Sequence, residues 1–297
     1  MMIESGTSAH RAGVVCIHII AIGLMLACLL PLWNIIMISF SASEAVDANL
    51  VGLWPVRFSA QAYGKLLGDS QFWRSFLISV ERVALTLGLN LVLVILMAYP
   101  LSKTNRQFKM RRFYMGIMIF AMLFSGGLIP SFLNIRRLGL LNSIWALVLP
   151  GAVPIFSVIL LINFFRGIPK SLEEAAVIDG LNPLQIALRI FLPCSAAAVA
   201  VIALFSIVGT WNDFFSGLIY IRTKANYPLM TYIQSLNIDI AAIARTGDVN
   251  ALKAAMEVSV RNLNAAKIAV AAIPLVCIYP FMQRYFITGI VMGSVKE

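Results

Sequence analysis

The sequence predicts an all-α, polytopic membrane protein, and three observations carry that prediction. Of 297 residues, 60% are hydrophobic, against roughly 45–50% in soluble domains, and the mean hydropathy is +0.89. Only 12% are charged. The apolar residues gather in six runs, at 13–40, 75–101, 113–130, 143–165, 196–220 and 263–290, each near the roughly 20-residue length that crosses a bilayer. Together they make a single transmembrane domain over residues 1–297, with lipid as its main surroundings.

The first run, Ala12–Phe40, follows Arg11 and precedes Ser-Ala-Ser at 41–43, an arrangement that resembles a cleaved signal peptide. A signal h-region has about 7–15 residues, so the run is too long and reads as a spanning helix. Later runs carry interior breakers: Gly88, Pro154, Gly209, Pro274 and Pro280, as the first carries Pro31. In lipid such breaks persist where neighbouring helices or a water-filled path satisfy the freed backbone groups, which favours a bundle packed around a pathway. Simple kinks are the alternative for any one of them.

Between the second and third runs lies KTNRQFKMRR (103–112), with five basic residues in ten positions. Dense positive charge beside spans marks a cytoplasmic loop and puts both termini inside. The excess of 23 Lys and Arg over 13 Asp and Glu is therefore assigned to helix orientation and not to nucleic acid, since no stretch interleaves basic and aromatic residues outside an apolar run. After the third run, LNIRRLGLLN (133–142) has the pattern of a short amphipathic interface helix. The long loop 221–262 contains a helical stretch, Asn250–Leu263, and a loop of that length suggests an external partner.

Chemistry-bearing groups are few. Cys16, Cys28, Cys194 and Cys277 form no C-x-x-C pair, and His10 and His18 have no partner at ligand spacing, so no catalytic residue and no metal site is expected. No G-x-x-x-x-G-K-[ST] loop is present to cradle a nucleotide. Polar groups inside spans usually face an interior, which nominates Asn90, Asn163, Asn212 and Asp213 for a solute path, with Trp211 as an aromatic platform. Interhelical hydrogen bonding is the alternative role for each. Glu81 and Arg82 lie shallow in the second span and, being adjacent, point apart. Arg136 and Arg137 could favour an acidic solute or anchor the interface.

The acids concentrate in EEAAVIDG, 173–180. Ser171 and Glu174 have the spacing of a capping box, which starts a helix at Leu172, and Gly180 suits its C-terminal cap. Asn182, Pro183 and Gln185 repeat the start signal for a second helix ending at Pro193. Helices this short are marginal in water, so the elbow 171–193 needs a surface to dock on, either its own bundle or a partner.

Residues 174–193, EAAVIDGLNPLQIALRIFLP, resemble the EAA loop of ATP-binding-cassette importer permeases at Glu174, Ala175, Ala176, Gly180, Ile190, Leu192 and Pro193. A proline often found four residues after the Leu-Pro pair is replaced by Ala197. FSGGLIPSFLNIRRLGLLNSIWALVLPGAV (124–153), TWNDFFSGLIYI (210–221) and YPFMQRYFITGIVMGSVKE (279–297) extend the likeness to the maltose-permease-like carbohydrate branch, nearest its subgroup for complex or uronate oligosaccharides such as alginate. The resemblance implies a type I importer permease fold in the bacterial cytoplasmic membrane. It implies a second permease as heterodimer partner, two ATPase subunits that bind Mg-ATP, an external solute-binding protein and an oligosaccharide substrate. The elbow would be the helix that couples to the ATPase, with Glu174 on a basic group of that partner, Asp179 as cap or contact, and Gly293–Glu297 reaching the same interface. An ion-coupled secondary transporter of a small polar solute is the rival class. It needs a titratable mid-membrane group, which only Asp213 supplies, and no inverted repeat is visible.

Overall fold

The computed structural model describes the backbone of residues 8–236 and 261–294. Most of the helical stretch expected at Asn250–Leu263 and the end of the expected Gly293–Glu297 contact lie outside the described residues.

Among the described residues the regular structure is helical, joined by turns and loops, with a single bridge between Ser41 and Phe58. The elements run α1 (Ser8–Ser39), α2 (Ser43–Asp47), α3 (Gln61–Leu67), α4 (Ser70–Ser102), α5 (Arg111–Leu123), α6 (Leu128–Arg137), α7 (Trp145–Val148), α8 (Ile155–Arg166), α9 (Lys170–Ile178), α10 (Pro183–Ile186), α11 (Leu192–Cys194), α12 (Ala196–Asn212), α13 (Phe215–Tyr220) and α14 (Arg261–Ser294). Helices α1, α4 and α14 hold windows long and apolar enough to cross a membrane. Three further spans arise if each bent helix pair counts as one.

Those bends correct the expected runs. The third run ends as a helix at Leu123, and the chain turns by 113° into α6. Gly127, at φ 85°, stands at the turn in a conformation that L side chains avoid. The amphipathic helix expected at 133–142 accordingly forms earlier, at 128–137, with Arg136 and Arg137 in its last turn, where they complement the negative end of the helix dipole. The fourth run is split by Leu149–Gly151 in 3-10 form and bends by 45° before α8. The fifth is interrupted at Asp213, and its remainder is α13.

The chain divides into two compact units, Met1–Ser70 with Leu236–Ala272, and Gln71–Ser235 with Ile273–Glu297. In the first, the start of α14 is fastened to the segment after α1: Asn262 Nδ2 donates to Ser41 O at 3.3 Å and to Ser43 Oγ at 3.1 Å, and Lys267 pairs with Asp69 at 2.7 Å. Residues 13–33 of α1 are all exposed, an apolar surface that needs lipid or another subunit around it.

In the second unit one core gathers Val94, Ala98 and Leu101 of α4, Met118 of α5, Val158, Leu161 and Phe165 of α8, and Ala198 and Ile202 of α12. Ala176, Ile186 and Phe191 join it, so the core holds the elbow from within. A smaller cluster of Ile135, Ala146, Leu147, Tyr220 and Ile221 packs α6, α7 and α13. Beside it Asn142 Oδ1 accepts from the backbone of Arg222 and Thr223 at 3.1 Å each, tying two loops together.

Candidate functional site

The elbow is a helix, a glycine turn and a second, distorted helix. Helix α9 starts at Lys170 with Pro169 as N-cap, two residues before the expected start, and no side chain caps it. Ser171 thus falls inside the first turn, too late to act as a cap, and the Ser171–Glu174 box does not form. At the other end Gly180, at φ 76°, donates to Val177 O at 3.0 Å and Leu181 N donates to Ala176 O at 3.0 Å. This is the paired closure of a Schellman motif, and no atom crowds a Cβ at Gly180, so the requirement there is conformational. The second box forms as expected: Gln185 N donates to Asn182 Oδ1 at 2.9 Å and Asn182 N to Gln185 Oε1 at 3.0 Å.

Beyond α10 the helix does not stop before Pro193. It widens into a π turn at Ala187–Phe191, continues as α11, and breaks at Ser195 with an 87° bend into α12. Proline lacks an N–H and its ring crowds the carbonyl four residues earlier, here that of Arg189; a π turn at that place relieves both.

Of the residues nominated in the elbow, Glu174, Ala175, Asp179, Gly180 and Pro193 are exposed, Ile190 and Leu192 are half-buried, and Ala176 is buried against the chain's own core. Only Ala175 of the alanine pair is therefore open to a partner. The exposed surface of the elbow sets large apolar side chains, Leu172, Val177, Ile178 and Leu184, with Ile178 at 84%, among the polar Lys170, Ser171, Glu174, Asp179 and Asn182. Glu173 turns the other way and pairs with Lys103 at 2.7 Å.

A cavity of about 440 Å³ lies between α4, the 146–157 segment, α12 and the 213–220 segment. Arg82 is buried in its wall; Nη2 meets Asp213 Oδ2 at 2.5 Å and Nη1 donates to Asp213 O at 3.1 Å. Asp213 Oδ1 accepts from Ser216 N at 3.1 Å, so this carboxylate also caps the restart of the chain as α13. Asn90 satisfies every neighbour when its Nδ2 faces the carbonyls of Thr86, Gly151 and Ala152 at 3.0–3.2 Å and its Oδ1 accepts from Ser206 Oγ at 3.0 Å. Ser157, Ser206, Thr210 and Ser216 add hydroxyls. Arg82 Nε and Thr86 Oγ1 are buried without a protein hydrogen-bond partner, and a hydroxylated solute or water would satisfy them. No group of metal-ligating side chains occurs among the described residues.

The structure brings together only Asn90 and Asp213 of the five nominated path residues. Trp211 is buried against Phe76, ring centroids 5.6 Å apart, and does not line the cavity. Asn212 is exposed and donates back to Val208 O at 2.9 Å, and Asn163 is exposed on α8. Sequence reasoning missed Arg82. A usable signal was present: Ser75, Ser79, Arg82, Thr86 and Asn90 recur every three or four residues along α4, one polar stripe on an apolar helix, and all five are buried.

Residues 83–291 match the family described as the binding-protein-dependent transport system inner membrane component. The chain belongs to this family. Among its relatives, the polygalacturonan/rhamnogalacturonan transport system permease protein YtcP of Bacillus subtilis is 39% identical over 91% of this chain and 93% of its own length. Protein LplC of the same organism is 36% identical over 98% and 97%. A crystal structure of a bacterial ABC transporter involved in the import of the acidic polysaccharide alginate contains a chain that superimposes with a TM-score of 0.84, at 30% identity over 95% of this chain and 99% of that one. As a member of a permease family of the inner membrane, the chain is a multi-pass membrane protein with the importer permease fold.

Proposed function

We propose that this chain is one of two permease subunits of an ATP-binding-cassette importer, that it passes oligosaccharides across the inner membrane, and that partner ATPases supply the energy. The observation that carries this reading is the two-sided elbow. Its inner face is part of the core, while its outer face leaves Leu172, Val177, Ile178 and Leu184 uncovered among polar residues, Glu174 included. Large apolar side chains exposed among polar ones, on a helix too short to stand alone, suit a groove on a partner.

In this reading Mg-ATP closes the two ATPases, the docked elbows move with them, and the bundle turns from inward- to outward-facing to receive solute from an external binding protein. Both termini lie on the elbow's side, the cytoplasm, as the charge of 103–112 supports. The cavity's hydroxyls, amide and internally neutralised Arg82–Asp213 pair suit sugar hydroxyls. Likeness to a permease named for polygalacturonan/rhamnogalacturonan and to an importer of the acidic polysaccharide alginate favours an acidic oligosaccharide. Its charge would be met by the exposed Arg136 and Arg137. The ion-coupled alternative loses its one candidate group, because Asp213 is already engaged by Arg82.

The reading is tested by purifying the tagged chain from its native host. An ATPase should come with it, and Glu174→Lys should release that ATPase or uncouple hydrolysis from uptake. Normal uptake and normal stimulated hydrolysis in that variant would remove the role of Glu174; a chain that transports with no ATPase attached would remove the importer reading.

A further inference from the structure

We propose that Lys103 is a positioning residue that ties the elbow to helix α4, so that displacement of a docked elbow is passed to the cavity wall; the proposal rests on the importer reading above. Lys103 directly follows the last turn of α4. Its Nζ lies 2.7 Å from Glu173 Oε1 in the first turn of α9, and 4.1 and 4.2 Å from the ring centroids of Tyr99 and Phe191. The two rings meet edge to face at 5.2 Å, and Phe165 of α8 closes on Phe191 at 5.3 Å. One ammonium group is thus shared by the end of α4, the start of α9 and the π turn before α11.

Exposed ion pairs contribute little, but this one is not exposed: the side chains of Lys103 and Glu173 are 13% and 22% accessible. Two ring faces further localise the charge. The other polar bonds at this end of α4 serve different neighbours. Arg111 Nε donates to Leu101 O at 2.9 Å and Arg166 Nε to Ser102 O at 3.4 Å, and neither involves the elbow. Further along the same unbroken helix stand Arg82, Thr86 and Asn90 of the cavity. The two adjacent glutamates therefore divide the work: Glu174 faces outward for a partner, and Glu173 faces inward and transmits.

The test uses the complete complex, with its second permease and ATPases, reconstituted in proteoliposomes. Hydrogen exchange is followed on adding a non-hydrolysable ATP analogue, which needs no knowledge of the sugar. In the wild type, amides of both α9 and the end of α4 should respond. In Lys103→Met the response of α9 should persist while that of α4 is lost, and Lys103→Arg, which keeps charge and can stack on the rings, should restore it. With labelled oligogalacturonide as probe, ATP consumed per sugar imported should rise about tenfold in Lys103→Met, within the range by which substitutions alter coupling between sites. An α4 response unchanged in Lys103→Met overturns the proposal. If that variant does not assemble, Glu173→Gln, which keeps shape, carries the same measurement; failure of both to assemble makes the pair a structural staple and also overturns it. A wild-type complex with no ATP-dependent change in α9 defeats the importer reading itself, a different result from loss of the α4 response alone.

Discussion

At the scale of single residues, the Arg82–Asp213 pair sets the character of the cavity. Removing one partner of a buried pair strands the other charge, at a cost of about 3–5 kcal/mol, whereas replacing both with apolar groups is often nearly neutral. Arg82→Met should accordingly lower the melting temperature of the detergent-solubilised complex sharply, and Arg82→Met combined with Asp213→Asn, which removes the stranded charge and keeps the acceptor for Ser216 N, should recover most of the loss. Uptake should stay low in both, because Arg82 is missing from the polar wall. Exchanging Arg136 and Arg137 for Gln should reduce uptake of charged oligosaccharides more than neutral ones; an equal loss for both would assign them to interface anchoring. The cavity was partly legible in the sequence. Asn90 and Asp213 were found because polar atoms are rare inside apolar runs. Arg82 was not paired with Asp213, because 131 positions separate them and only the bundle brings them together.

At the scale of elements, the elbow depends on two chain-end devices. Gly180→Ala forces an L side chain into left-handed backbone at about 1–2 kcal/mol, which should speed amide exchange across 172–186 roughly tenfold with little change in α12. Asn182→Ala removes the acceptor for Gln185 N and should cost about 1 kcal/mol, felt in α10 and not in α9. The second box was readable from sequence because Asn182, Pro183 and Gln185 all signal the same start. The first box does not form, because Pro169, with its fixed φ and missing N–H, already sets the entry to α9 and leaves Ser171 no terminus to cap. The π turn had no sequence signal beyond Pro193, which reads equally well as a stop.

At the scale of the whole molecule, composition made the class plain, since an excess of apolar residues can be satisfied only by lipid or by apolar neighbours. The bends were not plain, because hydropathy reports how much apolar chain is present and not its direction. The FSGG turn before α6 and the break at Asp213 both fall inside runs that read as continuous. The fully exposed 13–33 face of α1 leads to an expectation about assembly. Expressed alone, the chain should be polydisperse in mild detergent, and co-expression with its second permease should give a single species by size-exclusion chromatography.

The π turn at Ala187–Phe191 has a consequence for the phase of everything that follows it. A π turn accommodates one residue more than α-helix over the same axial length, and one α-helical residue corresponds to about 100° of rotation and 1.5 Å of rise. Deleting Leu188 would let the segment close as ordinary α-helix and leave the elbow facing nearly as it does now, because the extra residue is absorbed within the turn. Without that widened turn the same extra residue would swing the elbow by nearly a third of a turn about the axis and carry Glu174 with it. The π turn thus works as slack: the spacing between Gly180 and Pro193 exceeds by one residue what an α-helix would need, while the outer surface of α9 keeps its direction.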